Sequence, residues 1–432
     1  MRTNTDSSLR PTDRTARRRG AALAILLATQ LMVILDGTIV NVALPRIRSA
    51  LAFSDAGLAW VVNGFFVAFA LVLLPAGRLG DLVGARRVFL AGLTVFTVAT
   101  AACGVATGPG LLVAARVAQG VGGGLTSAVV LGMIAALYAA PADRARAFAL
   151  VAFVGSAGAS IGVVAGGLLT ELASWRWVFW VNVPIGLVVL VAAWVVLEDG
   201  PARSSARSGL VPRSLVPRTL LTRPAFLLPN AVLFTMTMAG FSFQFLTALY
   251  LQDTLGIDPL HTGLAYLPVT LAIALSSLGV SGRLAVRWGP ERVLVGGLAL
   301  FLGGMLMMAA LPDHGSFALH VAPGFVVMGL GFGLAMPQVT SLAMDAAPAD
   351  ASGAASGFVN TTQQAGGALG LAVVAVVAAG HGRAAGFLVA AVALAVGVGI
   401  AGRLAGAAAR NRRPDPGPDQ VERAGTPTLE RC

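Results

Sequence analysis

Asp36, Arg116 and Gln119 stand inside long apolar runs of this 432-residue chain, where their side chains are least at home. A carboxyl at membrane depth costs about 2.5–3.5 kcal/mol on insertion scales and persists chiefly where it faces a polar pathway or a partner. Asp36 can then take up and release a proton, unless it sits at an interface as a simple cap. Arg116, Gln119, Gly120 and Gly123 recur at i, i+3, i+4 and i+7, which puts a guanidinium and an amide on one helix face beside a smooth glycine surface. Two readings of Arg116 stand side by side: a counter-charge to a protonatable acid, or a structural arginine bonded to backbone carbonyls of neighbouring helices. A second charged set, Arg78, Asp81, Arg86 and Arg87, occupies the connector Gly77-Arg78-Leu79-Gly80-Asp81-Leu82-Val83-Gly84-Ala85-Arg86-Arg87. An isolated surface ion pair contributes only about 0–1 kcal/mol, but a network bridging two helix ends can latch one conformation. His, Cys, Asp and Ser do not cluster at catalytic or metal-ligand spacing, so the sequence predicts no enzyme, no metal and no cofactor.

The elements that must position these groups follow from composition. A chain with 56% hydrophobic and 11% charged residues has too little polar material to cover a soluble surface. Apolar segments near the ~20 residues needed to cross a bilayer recur along the chain, and helices satisfy their own backbone groups there. The expected fold is all-α, with twelve spans centred on 21–43, 57–76, 88–106, 109–139, 146–170, 178–197, 225–251, 262–282, 292–311, 317–344, 354–380 and 384–404. The first span is too long for a cleavable signal, carries Asp36 and precedes many more spans. The net charge of +11 is topological and predicts no nucleic-acid partner, because 25 of the 30 basic residues, all arginines, fall on one side of this arrangement and four on the other. The positive-inside rule places that side, and both termini, in the cytoplasm. Residues 1–20 and 405–432 read as disordered tails, 198–223 as a linker, and 21–197 and 224–404 as two six-helix halves.

The halves are copies. Gly282, Arg283, Leu284, Gly289 and Arg292 each lie 205 positions after Gly77, Arg78, Leu79, Gly84 and Arg87. With these connectors, the runs Leu35-Asp36-Gly37-Thr38-Ile39-Val40-Asn41-Val42-Ala43-Leu44-Pro45, Arg116-Val117-Ala118-Gln119-Gly120-Val121-Gly122-Gly123-Gly124 and Ser174-Trp175-Arg176-Trp177-Val178-Phe179 resemble motifs of the major facilitator superfamily. Within it, the first-span and Trp-Arg-Trp motifs are similar to those of the drug–proton antiporter branch, which usually has fourteen spans. The 26 residues from Glu198 to Arg223 hold five arginines and cannot supply two further spans, so this is a twelve-span form. Val163 stands where the branch's fifth-span motif has proline, and Val286 replaces the connector acid in the second copy.

The resemblance implies two pseudo-symmetric six-helix bundles that rock about a central cavity, carrying lipophilic or amphiphilic small molecules such as antibiotics out of a bacterial cell in exchange for protons. It implies proton coupling at Asp36 and Arg116, and a conformational gate at Arg78, Asp81, Arg86 and Arg87. Gly158, Gly162 and Gly166, spaced by four, line one face suited to close helix contact during that motion. Asn41, Gln119, Phe241, Gln244, Phe245, Gln338, Asn360 and Gln363 are the candidates for an aromatic and amide lining around the substrate. An uptake symporter of the same fold is the alternative. The expected partners are a small-molecule substrate, protons and the lipid bilayer, and the expected state is a monomer in the cytoplasmic membrane.

Overall fold

The computed structural model describes residues 11–138, 140–198, 217–312 and 315–411. Among the described residues there is no strand, and the helices follow the apolar runs. The first half holds α1 (Pro11–Leu51), α2 (Asp55–Val83), α3 (Ala85–Gly104), α4 (Pro109–Leu137), α5 (Pro141–Leu172) and α6 (Trp177–Val196). The second holds α7 (Pro224–Thr254), α8 (His261–Trp288), α9 (Pro290–Ala309), α10 (Phe317–Asp345), and α11 and α12, residues 352–381 and 383–411 of one continuous run broken at Gly382. Arg18 near the start of α1 reaches the end of α6, and Asp81 at the end of α2 reaches the start of α11, so with α12 running back from Gly382 the described ends Pro11 and Asn411 mark one end of the molecule.

The structure explains the glycines of the duplicated connector. Gly84 between α2 and α3 has φ 102°, and Gly289 between α8 and α9 has φ 89°. These left-handed turns are strained for any residue with a Cβ, which accounts for a glycine recurring at the same offset. The duplication extends into packing. A Cβ on Gly122 of α4 would lie 2.7 Å from the Gly92 carbonyl oxygen of α3, and one on Gly331 of α10 would lie 2.6 Å from that of Gly297 of α9. Helix pairs in each half therefore approach to backbone contact at matching places, as small residues allow where lipid offers no hydrophobic drive between helices.

Two features of the helices differ from the sequence reading. α1 begins at Pro11, so residues 11–20 of the expected disordered tail are helical. Arg18 anchors this extension: it pairs with Glu198 and donates from Nε to the Val196 carbonyl at the end of α6, 3.3 Å away. The expected linker also contains a helical turn, Arg218–Leu221, whose Leu220 is buried. Residues 1–10, 199–216 and 412–432 of the predicted tails and linker lie outside the described residues.

Candidate functional site

Asp36 of α1 and Arg116 of α4 meet in the interior of the first half, both at 0% exposure. Arg116 Nη1 donates to Asp36 Oδ2 at 2.5 Å and to Gln119 Oε1 at 2.7 Å, while its Nε donates to the Val61 carbonyl of α2 at 2.8 Å. The guanidinium also lies 4.5 Å above the Phe65 ring. The arginine is thus both ion-paired to the acid and bonded to a backbone carbonyl of a neighbouring helix. A buried charge without such partners is strongly destabilising, whereas a pair with its hydrogen bonds made is tolerated.

Gln119 sits one turn along α4 from Arg116 and closes the cluster. Its Nε2 donates to Asp36 Oδ1 at 2.7 Å and to Thr100 Oγ1 of α3 at 2.8 Å, and Thr100 donates in turn to the Phe96 carbonyl. Cys103 Sγ, one turn further on α3, lies 3.8 Å from Gln119 Oε1. The amide predicted to line a substrate site is therefore fully buried, with both of its polar atoms engaged. It holds the acid and the arginine together, and has no free group for a ligand. Thr100, Cys103, Phe65 and the Val61 carbonyl were not expected here. A threonine and a cysteine three residues apart in a span share a face, which was the available signal for two of them.

The glycine stripe of α5 packs on α1 around Asp36. Gly158 lies against Leu31 and Ile34; a Cβ on Gly162 would approach the Leu35 carbonyl oxygen to 3.2 Å, and one on Gly166 that of Ile39 to 2.7 Å. The helix bearing the acid is thus flanked closely by α5, whose glycines leave room for the Leu31, Ile34 and Thr38 side chains and for the α1 backbone. The side chains of Val163 and Asn41 lie outside the described residues.

At the termini-bearing end, Asp81 takes backbone partners rather than an arginine among the described residues. Asp81 accepts from the backbone N–H groups of Gly353 at 2.6 Å and Ala354 at 2.8 Å, the first turn of α11 in the other half. Unpaired amides and the positive end of the helix dipole bind the carboxylate there, in place of an arginine. Gly77 packs directly beneath, against Gly353 and Gly357. Arg78 is near enough to act on Asp81 only through space. Arg86 instead donates to the Trp194 carbonyl of α6 at 2.7 Å, and Arg87 is exposed. Arg144 of α5 pairs with Asp345 of α10, a second ionic contact between the halves at this end.

The predicted substrate-lining groups are scattered. Gln338 is buried between α10 and α8 and donates to Ser281 Oγ at 2.8 Å, which removes it from any lining. Asn360 of α11 donates to the Ser127 carbonyl of α4 at 3.1 Å, and Ser127 Oγ donates to Gln30 Oε1 of α1 at 3.2 Å, a polar chain across the halves. Gln363 is half-buried one turn beyond Asn360. Phe241 is exposed and covers Gly367, Gln244 is exposed with its carbonyl accepting from the Tyr266 hydroxyl, and Phe245 is half-buried.

A family model described as Major Facilitator Superfamily matches residues 26–371. The chain belongs to the Major Facilitator Superfamily. As a superfamily member it is a multi-pass membrane transporter, and its relatives include the puromycin resistance protein pur8 of Streptomyces alboniger, 35% identical over 84% of this chain and 82% of its own. The cephamycin export protein CmcT of Amycolatopsis lactamdurans is 34% identical over 84% of this chain and 86% of its own. Among solved structures, the superfamily transporter FucP in its outward conformation matches with a TM-score of 0.69 at 16% identity, covering 89% of this chain and 98% of that one, which shows the shared fold.

Proposed function

We propose that this transporter is a proton-coupled antiporter of the drug-export branch, moving lipophilic or amphiphilic molecules of the antibiotic class out of a bacterial cell across its cytoplasmic membrane. The buried Asp36–Arg116–Gln119 cluster carries the reading. The ionised carboxyl balances the guanidinium's charge and accepts from its Nη1, so protonation of Asp36 removes the charge that holds α1 to α4. A protonated and a deprotonated carrier then favour different helix arrangements, which is what coupling requires. The names of pur8 and CmcT, a resistance protein and an exporter, support export and the class of cargo. The arginine distribution supports cytoplasmic termini, which puts the Asp81–α11 contact on the inner side. When that side is closed, Asp36 loads from outside; opening inward releases the proton as substrate enters.

The test is ethidium transport in everted vesicles under an imposed pH gradient. The wild type is expected to accumulate dye in the vesicle lumen, and Asp36→Asn to lose gradient-driven transport by at least tenfold at equal protein level. Equal rates for the two would remove Asp36 as the coupling group. Dye movement in the same direction as protons would favour symport.

A further inference from the structure

A cavity of about 300 Å³ opens between the halves at the termini-bearing end, lined by Ala142 and Arg146 of α5 and by Gly282, Arg283 and Val286 of α8. Its lining includes two arginines, one from each half, and no acidic residue. Arg146 meets only a loose partner, Asp143 at 3.6 Å, with both side chains more than half exposed. Arg283 has no hydrogen-bond or ion-pair partner among the described residues, and Arg287, one turn further on α8, adds a third positive charge on that face. Arg144 next door is already neutralised by Asp345. Arginines facing each other across a cleft repel unless an anion lies between them, and their fork of donors suits a phosphate oxygen pair.

The surroundings identify the source of that phosphate. Leu275, Leu278 and Val286 of the same helix are exposed large apolar residues, the lipid-facing flank of a span, and Trp288 follows at its end. A headgroup in the cavity leaves its acyl chains on that flank. We infer that the α5–α8 cleft binds the phosphodiester headgroup of an anionic phospholipid, bridging Arg146 and Arg283 and thereby holding the two halves together at this end. Neutral phospholipids lack the net negative charge that two facing guanidiniums select, and a free phosphate ion would leave the apolar flank unused.

Native mass spectrometry of the full-length protein, titrated with phosphatidylglycerol or phosphatidylcholine, tests this. The wild type is expected to retain phosphatidylglycerol in preference, and Arg146→Gln/Arg283→Gln to weaken its binding about fivefold or more, as loss of two charge-assisted fork contacts implies. A control pair at the same end, Arg403→Gln/Arg410→Gln, removes the same charge from exposed positions on α12 and is expected to change binding less than about twofold, as screened surface charges do. Gly282→Leu fills the cavity and keeps every arginine, so it too is expected to weaken the lipid, and it serves if the glutamine pair fails to fold. Equal losses in the cavity and control pairs, or unchanged binding in Gly282→Leu, would overturn the site. So would displacement of the lipid by an equimolar amount of inorganic phosphate.

Discussion

Asp36 and Arg116 were legible in the sequence because each is expensive in an apolar run, so each had to have a partner or a path. That Gln119, read on the face of Arg116, also binds Asp36 was not legible. An amide within a span announces polarity without announcing its neighbours, and Thr100 was silent because threonines in helices commonly satisfy themselves on a preceding carbonyl, as this one does on Phe96. The cluster yields a prediction that separates the two roles of Arg116. Asp36→Asn alone leaves a buried guanidinium without its counter-ion and is expected to destabilise by about 3–5 kcal/mol, whereas Asp36→Asn with Arg116→Gln removes both charges and recovers most of that loss. Thermal unfolding of the purified protein in detergent reads it. Additive losses would assign Arg116 to the Val61 carbonyl and Phe65 alone.

At the scale of helices, the 205-residue repeat made the halves and their connectors readable, since a left-handed turn between two spans demands glycine in both copies. Which helix each glycine touches was not readable: contact depends on the facing surface, and periodicity describes only one side of it. Gly296 and Gly297 of α9 make the point as neighbours. A Cβ on Gly297 would stand 2.8 Å from the Ala335 backbone nitrogen and 2.9 Å from the Gly331 carbonyl oxygen, while one on Gly296 meets nothing within 4 Å. Gly297→Ala is expected to force α9 from α10 and cost about 1–3 kcal/mol as overpacking. Gly296→Ala is expected to be neutral or to stabilise by up to about 1 kcal/mol through helix propensity. Comparing their melting temperatures checks both, and a matching fall in the two would mean that α9 and α10 do not meet here. The Trp-Arg-Trp motif, likewise, serves as a cap: Arg176 Nη1 donates to the carbonyls of Gly104 at 3.0 Å and Ala106 at 2.7 Å, at the C-terminal end of α3, and its guanidinium stacks on Trp175.

Across the whole molecule, the termini-bearing end is closed by contacts that each join the two halves: Asp81 on the α11 amides, Gly77 against Gly353 and Gly357, and Arg144 with Asp345. The sequence singled out the acid of this contact but assigned it arginine partners, because a helix N-terminus 272 positions away leaves no mark on the connector. A carboxylate at a helix N-terminus contributes about 0.3–1 kcal/mol when exposed and up to about 2 kcal/mol when partly buried. Asp81→Asn keeps an acceptor oxygen and loses the charge, so the closed arrangement should weaken by about 1–2 kcal/mol, a factor of about 5–30 in a two-state ratio. Double electron–electron resonance between spin labels on exposed Leu82 and Val286, one on each half at this end, should show the longer-distance population grow by that factor. Dye transport should slow in parallel, because a carrier that cannot hold one side shut spends less of its cycle facing the other. An unchanged distance distribution would mean that Gly77 packing and the Arg144–Asp345 pair close this end without help from Asp81, and the combined Asp81→Asn/Asp345→Asn variant would then be the one to open it.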